Sequence, residues 1–192
     1  MRKVISVMTA MVICMMSACA FAGGWTVPGG YSDSDDSGGY GISAQLIDDL
    51  ATRSGPSTTY TGCGSYRMKG QYVTALFRAY DNGGVLWVEV EFSYGGGYRR
   101  AWTGAKRLNL SSSALAKIPE MDMNAYLGYG KINTTVSPRF GPGTLYAAYG
   151  DRDLHRGDQV AIIQSDSGYY LIERYHTDGH ILRCWVPASA VE

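Results

Sequence analysis

One small pattern occurs twice in this chain, and it narrows the available folds more than any other feature. Arg53-Ser54-Gly55-Pro56-Ser57-Thr58-Thr59-Tyr60 is answered by Arg139-Phe140-Gly141-Pro142-Gly143-Thr144-Leu145-Tyr146. Gly-Pro followed by Tyr four residues after the proline thus recurs at an offset of 86. Met68-Lys69-Gly70-Gln71-Tyr72-Val73 then matches His155-Arg156-Gly157-Asp158-Gln159-Val160 at an offset of 87. Trp87-Val88-Glu89-Val90-Glu91 matches Tyr169-Tyr170-Leu171-Ile172-Glu173 at 82, and Ala101-Trp102 matches Cys184-Trp185 at 83. The order is kept, and the offset changes only where loops are expected. Such self-similarity marks two copies of one supersecondary unit.

Within each copy the apolar residues alternate. Val88, Val90 and Phe92 fall on one face of a strand, with Trp87, Glu89 and Glu91 on the other; Tyr170 and Ile172 take the inward places in the second copy. Residues 71–80 and 159–164 read as the preceding strands. Asp81-Asn82-Gly83-Gly84, Gly95-Gly96-Gly97, Ser165-Asp166-Ser167-Gly168 and Thr177-Asp178-Gly179 are hairpin turns, because Asn and Gly tolerate positive φ. Roughly five short strands in about 60 residues bury a core by closing into a small bent barrel, which also removes exposed edges. The best helical stretch is a turn or two at Ser113–Ile118, capped by serine and stopped by Pro119. The expected fold class is all-β, two tandem small barrels joined by a short linker.

The N-terminus reads differently. Arg2-Lys3, an apolar run from Val4 to Met16 and Ala20-Phe21-Ala22 form a secretory signal with cleavage after Ala22. The runner-up is lipid attachment at Cys19. The expected organisation is therefore residues 1–22 signal peptide, 23–44 a flexible Gly/Ser/Asp-rich leader, 45–110 first barrel, 111–123 linker and 124–192 second barrel. The exported chain would be secreted or associated with the cell wall, with no membrane span in its mature part. Charge adds an exclusion: 17 Lys+Arg against 17 Asp+Glu is not the basic excess of a nucleic-acid binder. Charge is unevenly spread, with 8 basic against 3 acidic residues in 51–110 and 5 against 7 in 132–192.

The first copy resembles the bacterial Src-homology-3-like domains of exported proteins. It carries Arg53-Ser54-Gly55-Pro56-Ser57, Tyr60, Lys69-Gly70, Val73, Trp87-Val88-Glu89-Val90-Glu91-Phe92 and Ala101-Trp102. The second copy is a looser match, since Phe140 separates Arg139 from Gly141-Pro142 and Tyr169 stands in place of Trp; Cys184-Trp185-Val186 keeps the ending. The resemblance implies non-catalytic modules that bind peptidoglycan, or occasionally peptides or other envelope partners, usually beside a catalytic domain. Neither the leader nor the linker is long enough for such a domain. The chain is expected to act by itself or through a partner protein.

Reactive groups are few. Cys184 with His176 or His180, and Asp178 as orienter, could be drawn as a thiol–imidazole set. Cys184 alternates with Leu182 and Val186 on one strand face, however, and its counterpart is Ala101, so a small core residue is the simpler reading. His176 and His180 lack the further ligands of a metal site, and Asp33, Asp35 and Asp36 lack the Gly and closing Glu of a calcium loop. No cofactor is expected. Cys63 and Cys184 either pair as a disulfide, which export permits, or remain thiols; both readings stay open.

Aromatic residues are the better lead. Tyr60, Tyr66, Tyr94 and Tyr98 in the first copy, and Tyr146, Tyr149, Tyr169 and Tyr175 in the second, fall mostly in or beside loops, with Arg99 and Arg100 next to Tyr98. A flat ring with a polar tip suits sugars or extended peptides, and a cationic edge suits carboxylated stems. Against this stands a packing role, in which the same tyrosines cover the barrel ends and join the copies. The expected function is a non-enzymatic binding module of the cell envelope, taking cell-wall glycan or peptide on tyrosine-rich surfaces. The alternative is a structural adaptor docking another exported protein.

Overall fold

The computed structural model describes residues 41–150 and 152–192. The expected signal peptide, Cys19 and almost all of the leader, including Asp33, Asp35 and Asp36, lie outside the described residues. The described residues fall in one compact unit.

The turn chemistry sets the strands. β1 (Ile42–Leu46), β2 (Leu50–Arg53), β3 (Gly62–Tyr66), β4 (Tyr72–Tyr80), β5 (Leu86–Tyr94), β6 (Gly97–Gly104) and β7 (Leu108–Asn109) form one antiparallel, curled sheet in the order β3-β2-β6-β5-β4-β1-β7. Between β4 and β5, Asp81 Oδ1 accepts from the backbone N–H groups of Gly83 and Val85, and its Oδ2 accepts from Trp87 Nε1. These bonds hold the Asp81 carboxyl below the usual carboxylate range, the Val85 N–H being the largest contributor. A single-turn helix, α1 (Ser112–Lys117), follows, with Ser111 Oγ accepting from Ala114 N at its start.

A second sheet holds β8 (Gly128–Lys131), β9 (Gln159–Asp166), β10 (Tyr169–Tyr175) and β11 (Ile181–Pro187), in the order β11-β10-β9-β8. The β9–β10 turn places Ser167 at φ 49° and Gly168 at φ 77°, the paired positive values of a tight hairpin. Where the first half has β2 and β3, the second has only bridges, Val136 to Leu154 and Arg139 to Ala148. Pro138 stands there in the place of Thr52 and has no N–H to donate.

The two halves repeat one another bond for bond in several places. Gly70 N donates to Leu46 O and Gly157 N to Ile132 O; Ser54 N donates to Thr61 O and Phe140 N to Ala147 O. Each half has its own core. Leu46, Leu50, Val73, Val88, Val90, Phe92 and Leu108 gather in the first; Ile132, Leu154, Val160, Ile172, Leu182, Cys184 and Val186 gather in the second. Val88, Val90 and Phe92 are buried as their alternation requires, and so is Cys184. The opposite face of β5 is covered too, since Trp87 and Glu89 are buried.

That second burial reflects how the halves meet. The loop carrying Tyr60 lies along β11: Thr61 N donates to Ile181 O, and Ile181 N donates to Thr59 O. Reciprocally, the loop carrying Tyr146 lies along β6, with Ala147 N donating to Tyr98 O and Tyr98 N to Leu145 O. Each half gives a loop and receives one, which is the signature of an approximate two-fold relation.

Candidate functional site

Three of the expected site residues are anchors of this joint. The Tyr60 hydroxyl donates to Glu173 Oε1 (2.6 Å), which also receives Arg183 Nε at 2.9 Å. Glu173 and Arg183 are 1% and 2% exposed. The mirrored set joins Tyr146, whose hydroxyl donates to Glu91 Oε2 at 2.6 Å, with Arg100, whose Nε donates to the same oxygen at 2.8 Å. Each guanidinium lies over the tyrosine that crosses from the other half, Arg183 at 5.3 Å from the Tyr60 ring and Arg100 at 5.1 Å from Tyr146. Burial pushes the Tyr60 hydroxyl pKa far up, so it remains a donor. Tyr60, Tyr146 and Arg100 are thus engaged in holding the halves together, the packing role weighed for the tyrosines from the sequence.

Arg53 and Arg139 shape the two crossing loops from within. Arg53 Nη1 donates to the carbonyls of Thr58 and Tyr60 at 3.0 and 2.7 Å, and Arg139 Nη1 to those of Thr144 and Tyr146 at 3.4 and 2.7 Å. Gly55 and Gly141 let the tyrosine rings fold back: a Cβ on either would fall 2.2 and 2.1 Å from ring carbons of Tyr60 and Tyr146.

Other expected residues converge beside the joint. Tyr66 is buried, and its hydroxyl donates to Cys63 O at 2.7 Å while accepting from Arg99 Nη1 at 3.0 Å. The Arg99 guanidinium is held against three rings, 4.5 Å from Phe140, 5.2 Å from Tyr94 and 5.7 Å from Tyr66. Phe140 in turn stacks on Tyr149, with centroids 3.8 Å apart and planes 13° from parallel. Tyr149 reaches Cys63, its hydroxyl lying 3.6 Å from the sulfur.

These groups bound an open cleft of about 340 Å³, lined by Gly62, Cys63, Arg99, Phe140, Ala148, Tyr149, Gly150 and Arg152. An adjoining polar compartment of about 240 Å³ shares Gly62 and Arg152 and adds Thr61, His176, Asp178 and His180. Arg99, Tyr66, Tyr94 and Tyr149 are therefore brought together. Tyr98 is exposed and borders the Tyr146 ring at 6.3 Å. Tyr169 is half-buried at the start of β10, and Tyr175 is exposed at its end.

Arg152, Thr61 and Phe140 were not singled out as site residues from the sequence. Phe140 stands in the second Arg-x-Gly-Pro block where the first has Ser54, and that exchange of a hydroxyl for a ring was the available signal. Arg152 sits in no recognisable motif.

Both cysteines are free thiols, Cys63 half-buried and Cys184 buried. Burial raises the Cys63 pKa to about 11, although the Tyr149 hydroxyl and the fields of Arg152, Arg99 and Arg53 act in the opposite sense. Burial raises Cys184 further still. Neither environment favours a thiolate at neutral pH. His176 is shifted down, first by burial and then by Arg174. Among the described residues no three His, Cys, Asp or Glu side chains gather where they could hold a metal. None of the described helices is long and apolar enough to cross a membrane. Comparison with protein-family models, with curated proteins and with solved structures finds no match.

Proposed function

We propose that the protein is a non-enzymatic exported binding module of the bacterial cell envelope, made of two Src-homology-3-like barrels, that holds cell-wall glycan or peptide in the cleft at their joint. One observation carries this reading. Arg99, fixed by Tyr66, Tyr94 and Phe140, and Arg152 line a concave surface whose remaining walls are aromatic or small, and neither has an ion-pair partner among the described residues. Concave, partly apolar surfaces with a few placed polar groups are the usual form of ligand sites. Supporting the non-enzymatic part, Cys184, the nucleophile weighed from the sequence, is 1% exposed and packed in the second core.

The test is co-sedimentation with purified cell walls at low salt. Binding is expected, and Arg152→Ala should weaken it severalfold while leaving the fold intact. A chain that stays in the supernatant removes the reading.

The adaptor reading has its own observation. Leu127, Tyr129 and Tyr175 are 64%, 80% and 66% exposed, and Tyr126 stacks on Tyr129 at 6.0 Å. Exposed aromatics of this kind are common at protein interfaces. If the adaptor reading holds, crosslinking in an envelope extract yields one defined protein partner through Tyr129, and the walls alone yield none.

A further inference from the structure

The cleft has a charge character that the general reading leaves unspecified. Of the residues lining it, two are arginines and none is acidic. Arg99 Nη1 is occupied by the Tyr66 hydroxyl, but its Nε is buried and makes no hydrogen bond among the described residues. A buried N–H of a cation without an acceptor is costly, and structures seldom keep one unless something fills the place. The three rings around Arg99 fix the guanidinium before any ligand arrives, so little ordering is required on binding. Next door, Thr61 is 6% exposed and its Oγ1 has no partner among the described residues; the same holds for His176 Nε2. Residues with an unpartnered buried hydrogen-bonding atom thus line both compartments, and Arg152 is shared between the two.

Arg152 and Arg99, with Arg53 behind them, all bear on the Cys63 sulfur with the sign that favours negative charge there. The thiol itself is neutral, so this field acts on whatever anion enters beside it. We infer that the space between Arg99 and Arg152, over Cys63, is a carboxylate-binding subsite, and that the ligand of this protein is a carboxylate-bearing peptide or acyl chain whose uncharged body lies along Phe140 and Tyr149. The inference rests on the binding reading above and says which chemical group of the ligand the cleft grips.

Carboxylate fits better than phosphate. The walls decide this rather than the charge count: apart from Arg99 and Arg152 the cleft is lined by Phe, Tyr, Ala, Gly and a neutral thiol, which suit a carboxylate carried on an apolar body. A doubly charged phosphate would bring no apolar surface to cover Phe140. A planar carboxylate also accepts from a guanidinium edge with two oxygens, whereas the remaining acceptor capacity of a phosphate would be left against carbon.

The test uses nuclear magnetic resonance on the intact mature chain, with N-acetylglycine as probe, its amide as the neutral isostere, and inorganic phosphate as the rival anion. N-acetylglycine should shift the backbone signals of Gly62, Cys63 and Gly150 and the Arg99 Nε–H signal along one saturable curve. The amide should bind at least tenfold more weakly. Arg152→Gln, which alters no ring contact, should weaken the acid at least tenfold and leave the amide unchanged, while Arg99→Lys should recover part of what Arg99→Gln loses. Equal binding of acid and amide, tighter binding of phosphate, shifts scattered away from the cleft, or no saturable shift each overturn the inference. Wall sedimentation keeps the two levels apart. If wild-type and Arg152→Gln chains sediment alike and N-acetylglycine fails, the carboxylate subsite falls and the binding module stands. If the probe binds and walls do not, the subsite stands and the envelope reading falls.

Discussion

Glu173 shows what is at stake in single residues of the joint. Its carboxylate is 1% exposed and receives Arg183, Tyr60 and, at 3.3 Å, Tyr126. Truncating one member of a buried ion pair leaves the other charge unsolvated, so Glu173→Ala should lower unfolding free energy by about 3–5 kcal/mol. Tyr60→Phe removes one hydrogen bond to a charged group and should cost about 1.5–3 kcal/mol. Urea unfolding of the two variants checks both values and their order. Glu89 responds to pH instead. Burial raises its pKa above the ordinary 4.5, against the pull of Arg100 and Arg183, so the folded state binds this proton more tightly than the unfolded chain does. Its contribution is greatest below the unfolded value and is lost as pH rises through the raised folded one. Glu89→Gln should therefore remove a fall in stability above about pH 4.5 that the native chain shows in urea titrations. An identical pH slope in both proteins would refute the assignment.

At the level of elements, the crossing loops depend on two glycines. Gly55→Ala and Gly141→Ala each place a methyl against a ring that cannot withdraw without losing its hydroxyl's acceptor, and each should cost about 1–3 kcal/mol. At Gly104 an added Cβ meets nothing within 4 Å, and Gly104→Ala should stay within about 0.5 kcal/mol of the native chain. Shifts in the urea midpoint test all three. The hairpins were readable in advance because their causes are local: Asp81 and the Gly at 84, 95, 96, 168 and 179 fix their turns whatever surrounds them. The inward face of β5 was readable for the same reason. Period two announces two faces but not what covers each, so Glu89 and Glu91 gave no sign that the other half lies against them. Tyr60 and Tyr146 could equally have faced ligand or neighbour, since their Glu173 and Glu91 partners lie 113 and 55 residues away. Roughly five strands were expected in each copy; the second sheet has four, with only isolated bridges beside Pro138.

The whole molecule should melt as one. A buried Tyr–Glu–Arg set, its half-buried mirror and reciprocal backbone bonds cross the joint, so neither half keeps its surface satisfied without the other. Tryptophan fluorescence and far-ultraviolet dichroism should trace a single coincident urea transition, including in a chain carrying both Trp25→Phe and Trp185→Phe, whose remaining Trp87 and Trp102 report on the first half. Two separated transitions would contradict it. The near two-fold arrangement has one more consequence, concerning valency. Gly62 and Ala148 occupy matching positions and both line the cleft, as do Cys63 and Tyr149, so the cleft draws like positions from both halves. A strictly symmetric trough would accept its guest head-first or tail-first with equal ease. Here Arg99 stands where the other half has Leu182, and Phe140 where it has Ser54, so the trough is not symmetric and has a polarity. Occupancy should saturate at one guest per chain, in one orientation, despite the doubled architecture.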